Sequence, residues 1–325
     1  MSRWHQAFLG SLVGDALAMP VDGYYDRGAL RRDYGIVDRY LSPKPQHPDS
    51  ILGQSRYRPE NGRGDILREQ GIYWGQPGVH HDQFLSAGEN TLDFRLAGEV
   101  HRIVRHFGYY DADAWLRHYI ECMLTPGWHR DTYVEEYHRI FFTQFAQGKP
   151  PRECWSEDGG ISGLAQLPAL LGALPPMDTR ARISIAAEHV RLTHRHPKVL
   201  DAAETLVRML HAIAGGAHVR EAIEREGAGW MSAYQAQAWT RLTDDTVVGE
   251  EVGPDRQIEN AFPASLYIAW KYAEDFSAGV EANAMAGGAG CHRGGVVGAL
   301  LGAANSVPKR WLTNLESLSY LAIPV

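Results

Sequence analysis

Cysteine is scarce in this chain of 325 residues, which has only Cys122, Cys154 and Cys291. Three cysteines that lie far apart argue against a disulfide scaffold and suit a reducing compartment. Long apolar runs are also lacking, and without about eighteen consecutive apolar residues the sequence predicts no transmembrane helix. Its first residues do not form the apolar segment of a secretory signal. We therefore expect a cytoplasmic protein.

The sequence also has no excess of basic residues. Its 32 Lys and Arg residues are outnumbered by 39 Asp and Glu residues, which gives a formal net charge of −7. An electrostatically driven nucleic-acid binder needs an excess of basic residues, so we exclude that class of partner. Hydrophobic residues make up 44% of the chain, enough for the core of an ordinary globular protein.

Alternation of the β-strand type is scarce, and the dominant hydrophobic period is helical. Phe8, Leu12 and Leu17 belong to the buried face of a first helix that ends near Pro20. No linker or internal repeat divides the chain. We predict an all-α fold with one domain over residues 1–325. Further helices are predicted over Leu92–Phe107, Ala112–Leu124, Val134–Gln147, Arg180–Thr193, Val199–Ala214, Val219–Glu226, Glu259–Glu274 and Arg293–Ala304.

Residues 21–78 differ from the rest of the chain. They are rich in Tyr, Arg, Pro and Gly and show little periodicity. We interpret this segment as long loops with short helices. In an otherwise helical protein, such a region is typical of a segment that covers a binding cleft.

Two glycine-containing segments near opposite ends of the chain carry the most information. Asn283–Gly295 has the sequence NAMAGGAGCHRGG, a tight glycine turn that opens a helix. Gly294, Gly298 and Gly302 then recur every four residues, so they share one stripe that a second helix can approach closely. The amides at the start of such a helix favour an anion. Gly10–Asp22, with the sequence GSLVGDALAMPVD, is the other segment.

Together these segments resemble the ADP-ribosylglycohydrolase family, of the dinitrogenase reductase-activating glycohydrolase type. The family opens with G-x-x-x-G-D-A-x-G-x-P-x-E and closes with G-G-D-x-D-T, followed by a helix that ends G-A-x-x-G-A. Gly298–Ala303 fits that ending, Leu192-Thr193-His194 is similar to the family's mid-chain L-T-H, and Phe262–Trp270 is similar to its penultimate helix. The likeness covers most of the chain.

The resemblance implies a compact orthogonal multi-helix bundle and a specific reaction. The family hydrolyses the N- or O-glycosidic bond at C1″ of ADP-ribose on a side chain or another acceptor. Magnesium ions hold the ribose hydroxyls, and a carboxylate positions water or protonates the leaving group. The partner implied is therefore a small-molecule or ADP-ribosylated substrate, and the transition state has oxocarbenium character.

The metal-binding motifs of the family are largely rewritten in this sequence. Ala289 and Cys291 stand where G-G-D-x-D-T has its two aspartates, and His292 replaces the threonine. Gly88–Thr91, with the sequence GENT, aligns with the family's early T-D-D-T, and Asp22 replaces a glutamate. Loss of these carboxylates predicts at most one magnesium ion, or none, because two divalent cations would repel each other strongly.

The resemblance implies the following site residues. Asp22 and Glu89 are the predicted catalytic carboxylates, and Glu89 and Asn90 are the candidate metal ligands. The predicted substrate-binding residues are His81, Asn90, Thr91, Gly287, Gly288, Gly290 and His292, with the glycine amides facing the diphosphate.

Several of these residues also have ordinary structural explanations. Ser86-Ala-Gly-Glu89 has the spacing of a helix capping box. His80 and His81 are adjacent and seldom share one metal, although one of them could line the pocket. Cys291-His292 lacks the spacing of a metal motif. Arg293 is expected to be a solvated charge that could balance a phosphate.

Three further residues or motifs are predicted to be structural. Thr243–Thr246 spells T-D-D-T, but it lies in the last third of the chain, where a surface turn or a helix cap explains it. His194 is predicted to be structural because it matches the family's L-T-H. Asp15 is expected to accept hydrogen bonds from the nearby backbone.

Three functions fit the sequence. The first is hydrolysis of an ADP-ribosyl or related ribosyl bond with a reduced or lost metal site. The second is binding of ADP-ribose or another nucleotide without cleavage, and the third is a structural protein that reuses the fold. Asp22 and Glu89 favour the enzyme, whereas the lost G-G-D-x-D-T ligands favour the silent binder.

Overall fold

Helices provide all the regular structure in the computed structural model, which describes residues 1–320 and contains no strand within them. The predicted all-α fold is therefore confirmed. Residues 321–325 of the predicted domain lie outside the described residues. The α-helices are α1 Arg3–Ala18, α2 Arg27–Tyr34, α3 Leu92–Phe107, α4 Ala112–Leu124, α5 Glu136–Ala146, α6 Leu167–Ala173, α7 Thr179–Arg191, α8 Pro197–Ala214, α9 Val219–Glu226, α10 Ala233–Trp239, α11 Asp244–Thr246, α12 Ile258–Lys271, α13 Phe276–Met285, α14 Gly290–Asn305, α15 Lys309–Leu312 and α16 Ser317–Tyr320.

Amphipathic periodicity located the long helices well. The predicted bounds of α3, α4 and α9 agree with the structure residue for residue, and those of α5, α7, α8, α12 and α14 differ by at most three residues. The prediction omitted α6, α10 and α13, as well as the very short helices α11, α15 and α16. Nearly every residue of α6 is buried, and α13 consists largely of small residues. Neither helix therefore has the one-sided apolar stripe from which a helix is recognised in a sequence.

Helices α1 and α14 pack against each other at the centre of the molecule. A β-carbon on Gly14 would lie 1.9 Å from the carbonyl oxygen of Gly294, and one on Gly10 would lie 2.0 Å from that of Gly298. Only glycine permits this approach, so the predicted stripe on α14 does receive a second helix. The contact brings the end of α1 to the start of α14, and the two glycine segments meet there.

The segment 21–78 consists of loops with short helices, as predicted. It contains α2 and two 3₁₀ helices, Ile51–Gln54 and Arg68–Tyr73. Other short elements are the 3₁₀ helices Met19–Val21, Pro151–Glu153 and Ile161–Leu164 and the π-helix Val247–Val252.

One contiguous hydrophobic core contains residues from Ala7 to Leu315, so both chain halves contribute to it. Within residues 1–320, no helix combines the length and the apolar character that crossing a membrane requires.

Candidate functional site

A small cavity, with about 40 Å³ accessible to the centres of water molecules, lies where the end of α1, the start of α3 and the start of α14 come together. Two loops, residues 80–82 and 131–135, complete its wall. Acidic and imidazole side chains dominate the lining, which consists of Asp22, His81, Asp82, Thr91, Leu92, Asp93, Asp131, Tyr133, Val134, Glu135, His138, Cys291 and His292. We call this the acidic cavity.

Asp22 follows the 3₁₀ turn Met19–Val21 and connects the two ends of the chain. Its Oδ1 accepts a hydrogen bond from the backbone amide of Cys291 at 2.8 Å, and its Oδ2 lies 3.4 Å from Nε2 of His81. Burial alone would raise the pKa of Asp22, but the hydrogen bond and charge of His81 outweigh it and lower the pKa to about 2. Asp22 is therefore an ionised carboxylate in the cavity wall.

His81 lines the cavity, whereas the adjacent His80 is fully buried against the carbonyl of Pro20. Nε2 of His81 lies 3.4 Å from oxygens of both Asp22 and Asp82. Burial would lower the pKa of His81, but the charges of Asp82 and Asp22 raise it to about 9. His81 is thus a cation between two carboxyl groups.

His292 is the second cation of the cavity, at the start of α14. Its Nε2 lies 2.6 Å from Oδ2 of Asp93. Burial opposes the charged imidazole, but the hydrogen bond to Asp93 raises the pKa of His292 to about 9. His138 and Tyr137 bind the other oxygen of Asp93. Burial would raise the pKa of Asp93, yet its hydrogen bonds with His138 and His292 hold it well below the usual value.

Two carboxyl groups of the loop 131–135 have an oxygen without a hydrogen-bond partner. They are Oδ2 of Asp131 and Oε2 of Glu135. The nearest cation to Oε2 of Glu135 is Nη1 of Arg256, at 3.6 Å. Burial raises the pKa of Glu135, and burial also raises that of Asp82, to about 8. The cavity therefore contains carboxyl groups whose pKa values are shifted in opposite directions, downwards for Asp22 and upwards for Asp82 and Glu135.

Glu89 lies outside the lining of the acidic cavity. Its carboxylate binds the amide of Ser86 at 3.0 Å and forms ion pairs with Arg95 and Arg130. The bond from Ser86 belongs to the predicted capping box, but it closes a turn before α3, whose N-cap is Thr91. Because two guanidinium groups neutralise this carboxylate outside the cavity, we propose a structural role for Glu89 in place of the predicted catalytic and metal-binding roles.

Asn90 and Thr91 are bound to α1. Nδ2 of Asn90 donates to Asp15 at 2.7 Å, Oδ1 of Asn90 accepts from the hydroxyl of Ser317, and the hydroxyl of Thr91 donates to Asp15 at 2.7 Å. Asp15 thus has the supporting role predicted for it. The predicted metal role of Asn90 needs correction, because its amide oxygen is already used, while Thr91 does line the cavity.

The glycine turn holds the segment that carries Asp22. The amide of Gly288 donates to the carbonyl of Tyr24, and the amide of Gly23 donates to the carbonyl of Gly288, both at 2.8 Å. The amide of Gly290 donates to the carbonyl of Gly288 at 2.7 Å. The predicted diphosphate contacts of Gly288 and Gly290 need correction, because both amides already have acceptors. Gly287, likewise predicted to bind substrate, is not among the residues that line the acidic cavity.

Arg293 is fully buried, so the prediction of a solvated charge was wrong. Its guanidinium donates to Oδ1 and the carbonyl of Asn283 and to the carbonyl of Gly287. These acceptors lie at the end of α13 and in the glycine turn. Arg293 therefore fixes the backbone that leads into α14.

Thr243–Thr246 and His194, the other two predicted to be structural besides Asp15, have structural contacts. Thr243 is the N-cap of α11, and its hydroxyl accepts from the amide of Thr246. Tyr267, Lys271 and Tyr272 donate to Asp244. His194 is buried, and burial lowers its pKa to about 4, so it is a neutral core histidine.

The acidic cavity does not fit a pair of divalent cations. Among residues 1–320, its His, Cys, Asp and Glu side chains include no three ligand atoms within 4.8 Å of one another. Cys291 is a buried thiol whose pKa burial raises well above the usual value, so it supplies no thiolate. His81 and His292 already bring positive charge. Elsewhere in the described part of the chain, Glu99, His118 and Cys122 form one candidate metal-binding group.

Sequence reasoning missed several residues of the cavity. Asp93 occupies the first turn of α3, where an acidic residue is common because it suits the helix dipole. Asp82, Asp131 and Glu135 lie in aperiodic loops. Only Asp82 gave a signal, because it follows the His80-His81 pair.

Comparison with known proteins agrees with this architecture. The family model described as ADP-ribosylglycohydrolase matches residues 1–323. The chain belongs to the ADP-ribosylglycohydrolase family. A solved structure titled "ADP-ribosylglycohydrolase-related protein complex" matches 99% of this chain and 95% of its own, with 23% sequence identity and a TM-score of 0.58. At that identity the likeness shows the fold alone. No curated protein matches the chain.

Proposed function

We propose that the acidic cavity cleaves an N- or O-glycosidic bond of an ADP-ribosyl or related ribosyl group without a pair of magnesium ions. Membership of the family supports a glycohydrolase function. The proposed cleavage rests on two carboxyl groups in one cavity whose pKa values are shifted in opposite directions. Asp22 is held ionised, and the pKa of Glu135 is raised by burial. Environments that separate two such pKa values assign an acid and a base.

Each carboxyl group has a defined part in the proposed reaction. Glu135 donates its proton to the leaving nitrogen or oxygen as the bond to C1″ breaks. The ionised Asp22 stabilises the positive charge that develops on the ribosyl ring. Water then bonds to C1″ and loses a proton through Asp22 to solvent. A weak base is sufficient for this last step, because water that adds to an oxocarbenium ion becomes strongly acidic.

The imidazolium groups of His81 and His292 provide the positive charge of the proposed site. His81 lies between the carboxyl groups of Asp22 and Asp82, and His292 lies against the carboxylate of Asp93. Their N–H groups are donors, so they suit ribose hydroxyls as partners. We therefore propose that magnesium is dispensable, and that at most one ion joins the site.

The size of the cavity favours a small group. Pockets that enclose drug-sized ligands measure about 300–1,000 Å³, whereas only about 40 Å³ of the acidic cavity is accessible to the centres of water molecules. We propose that the cavity receives the reacting edge of the ribosyl ring, while the rest of the substrate lies outside it, towards the segment 21–78. That segment begins in the cavity wall, because it contains Asp22, whose carbonyl oxygen lies 2.8 Å from Nε2 of His47 further along the segment.

We also propose a cytoplasmic location. The three cysteines within the described residues are free and buried, a pattern that suits a reducing compartment. ADP-ribosylated side chains or small ADP-ribosyl compounds would be the partners there.

An assay of ADP-ribose release tests the proposed reaction. Peptides that carry ADP-ribosyl-arginine or ADP-ribosyl-serine are incubated with the protein, and free ADP-ribose is measured. Glu135→Gln should reduce the rate by about 10²-fold or more, the usual contribution of a general acid. Glu136→Gln is the matched control, because this neighbouring carboxylate is half exposed and lies outside the cavity. Equal rates for the two variants would contradict the role of Glu135.

A catalytically silent binder is the second candidate. The replacement of two of the family's carboxylates by Ala289 and Cys291 favours it. Calorimetric binding of ADP-ribose without release from any peptide would support this function over hydrolysis. Absence of both binding and release would instead support a structural role for the fold.

A further inference from the structure

A second group of chemically reactive side chains lies between α3 and α4, away from the acidic cavity. Glu99 of α3 and His118 and Cys122 of α4 each direct one ligand atom to a common point, and these atoms lie within 4.8 Å of one another. Nε2 of His118 is 2.7 Å from Oε2 of Glu99 and 3.3 Å from Sγ of Cys122. We propose that Glu99, His118 and Cys122 form a zinc site that joins α3 to α4.

The spacing of the residues suits a metal ion. His118 and Cys122 are four positions apart on one helix, so they share a face, and Glu99 approaches from the neighbouring helix. Zinc binds sulfur, imidazole and carboxylate ligands at about 2.0–2.3 Å, which places tetrahedral ligands roughly 3.3–3.7 Å apart. The contact between His118 and Cys122 is already at this range, and the contact between His118 and Glu99 needs only a small opening.

The mixture of ligands selects the class of metal. A thiolate with an imidazole and a carboxylate favours zinc over magnesium or calcium, which prefer oxygen ligands alone. Three protein ligands leave a fourth position for water. Burial raises the pKa of Cys122 to about 12, so the metal-free protein holds a thiol and zinc must displace its proton.

A carboxylate lies near the second ring nitrogen of His118. Nδ1 of His118 is 3.7 Å from Oε2 of the exposed Glu121, which is beyond hydrogen-bond distance, but a small movement of Glu121 would give the outer contact that orients metal-bound histidines. A surface cavity lined in part by His118 and Glu121 gives access from solvent. Glu99 is ionised, because hydrogen bonds from His118 and Arg102 outweigh burial and lower its pKa.

Arg102 competes with the metal in this arrangement. Its Nη2 lies 2.6 Å from Oε2 of Glu99 and 3.3 Å from Nε2 of His118. The side chain of Arg102 is half exposed, so it can turn towards solvent when a cation binds. Removal of this guanidinium should therefore strengthen zinc binding, an effect that a purely structural cluster would not show.

Calorimetry with zinc chloride on the untagged full-length protein tests the proposal. We expect one zinc ion per chain, an affinity weakened at least about tenfold by His118→Gln or Cys122→Ser, and a tighter affinity for Arg102→Ala. Cys154→Ser is the matched control, because Cys154 is also a buried free cysteine but its sulfur contacts only backbone carbonyls. Binding of Co²⁺ should add a thiolate charge-transfer band that Cys122→Ser removes and Cys154→Ser keeps.

The same experiment can overturn the proposal. Absence of zinc binding to the wild-type protein would do so, as would equal affinity in the wild type, His118→Gln and Cys122→Ser. Thermal unfolding of each metal-free variant shows whether it is folded. If Cys122→Ser does not fold, the zinc affinity of His118→Gln tests the proposal instead. His118 is partly exposed, so its replacement disturbs packing less. Loss of glycosidic activity would have no bearing on this result.

Discussion

The imidazole of His292 and the carboxylate of Asp93 lie 2.6 Å apart and connect the first turn of α14 to the first turn of α3. This ion pair stands where the family motif G-G-D-x-D-T would place its threonine. His81 forms a similar contact with Asp22 on the other side of the cavity. Two imidazolium groups thus provide the positive charge at the centre of an acid-rich cavity.

The ion pair of His292 should make stability depend on pH. The pKa of His292 is raised from about 6.5 to about 9, so its stabilisation is complete below pH 6.5 and is lost as pH rises through 9. His292→Gln should lower the melting temperature by about 3 °C or more at pH 6, and the difference should shrink towards pH 9.5. Melting curves across this range, with the exposed His106→Gln as control, test it. A constant difference would contradict a charged His292.

The close contact of α1 and α14 should not tolerate a methyl group. In Gly14→Ala the new β-carbon would lie 1.9 Å from the carbonyl oxygen of Gly294, so the two helices must move apart. We expect a loss of about 3 kcal/mol or more in the free energy of unfolding, measured by urea denaturation. Gly62→Ala, where the β-carbon meets nothing within 4 Å, is the control. Equal stability of the two variants would show that the helices pack differently.

Glu89 should affect stability more than reaction rate. Glu89→Gln removes a buried charge that faces Arg130 and Arg95 but lies outside the acidic cavity. We expect a loss of about 1–2 kcal/mol in unfolding free energy, below that of a fully buried pair because Arg130 is half exposed. The rate of ADP-ribose release should stay within about threefold of wild type. A drop of about 10²-fold in rate would instead return Glu89 to the catalytic site.

Arg293 should be required for the glycine turn. Arg293→Met removes the hydrogen bonds to Asn283 and Gly287 and leaves buried carbonyl oxygens without donors. We expect a loss of about 3 kcal/mol in unfolding free energy. Arg310→Met is a suitable control, because Arg310 forms one exposed ion pair. If both variants unfold at the same urea concentration, Arg293 does not support the turn.

The fold could be predicted far better from the sequence than the site. Helices with one apolar face, such as α3 and α4, show their bounds in the spacing of hydrophobic residues. The stripe Gly294, Gly298 and Gly302 indicated a close helix contact, and the structure supplies Gly10 and Gly14 as its partners. Short or wholly buried helices such as α6 gave no such pattern.

The site depended on contacts that no local pattern contains. Asp22, His81, Thr91 and His292 were predicted as site residues and do line one cavity. Asp93 and Glu135 were missed, because their importance comes from neighbours distant in sequence. The buried Arg293 shows the same limit, since nothing next to it predicts that the end of α13 would enclose its charge.

Calorimetric titration of ADP-ribose into the protein, once with EDTA and once with magnesium chloride, tests the central claim most directly. If His81 and His292 provide the positive charge of the cavity, the two affinities should agree within about twofold, and Asp22→Asn should weaken both equally. Binding that appears only with magnesium would contradict the account, because the cavity would then need a metal that its imidazolium groups do not replace.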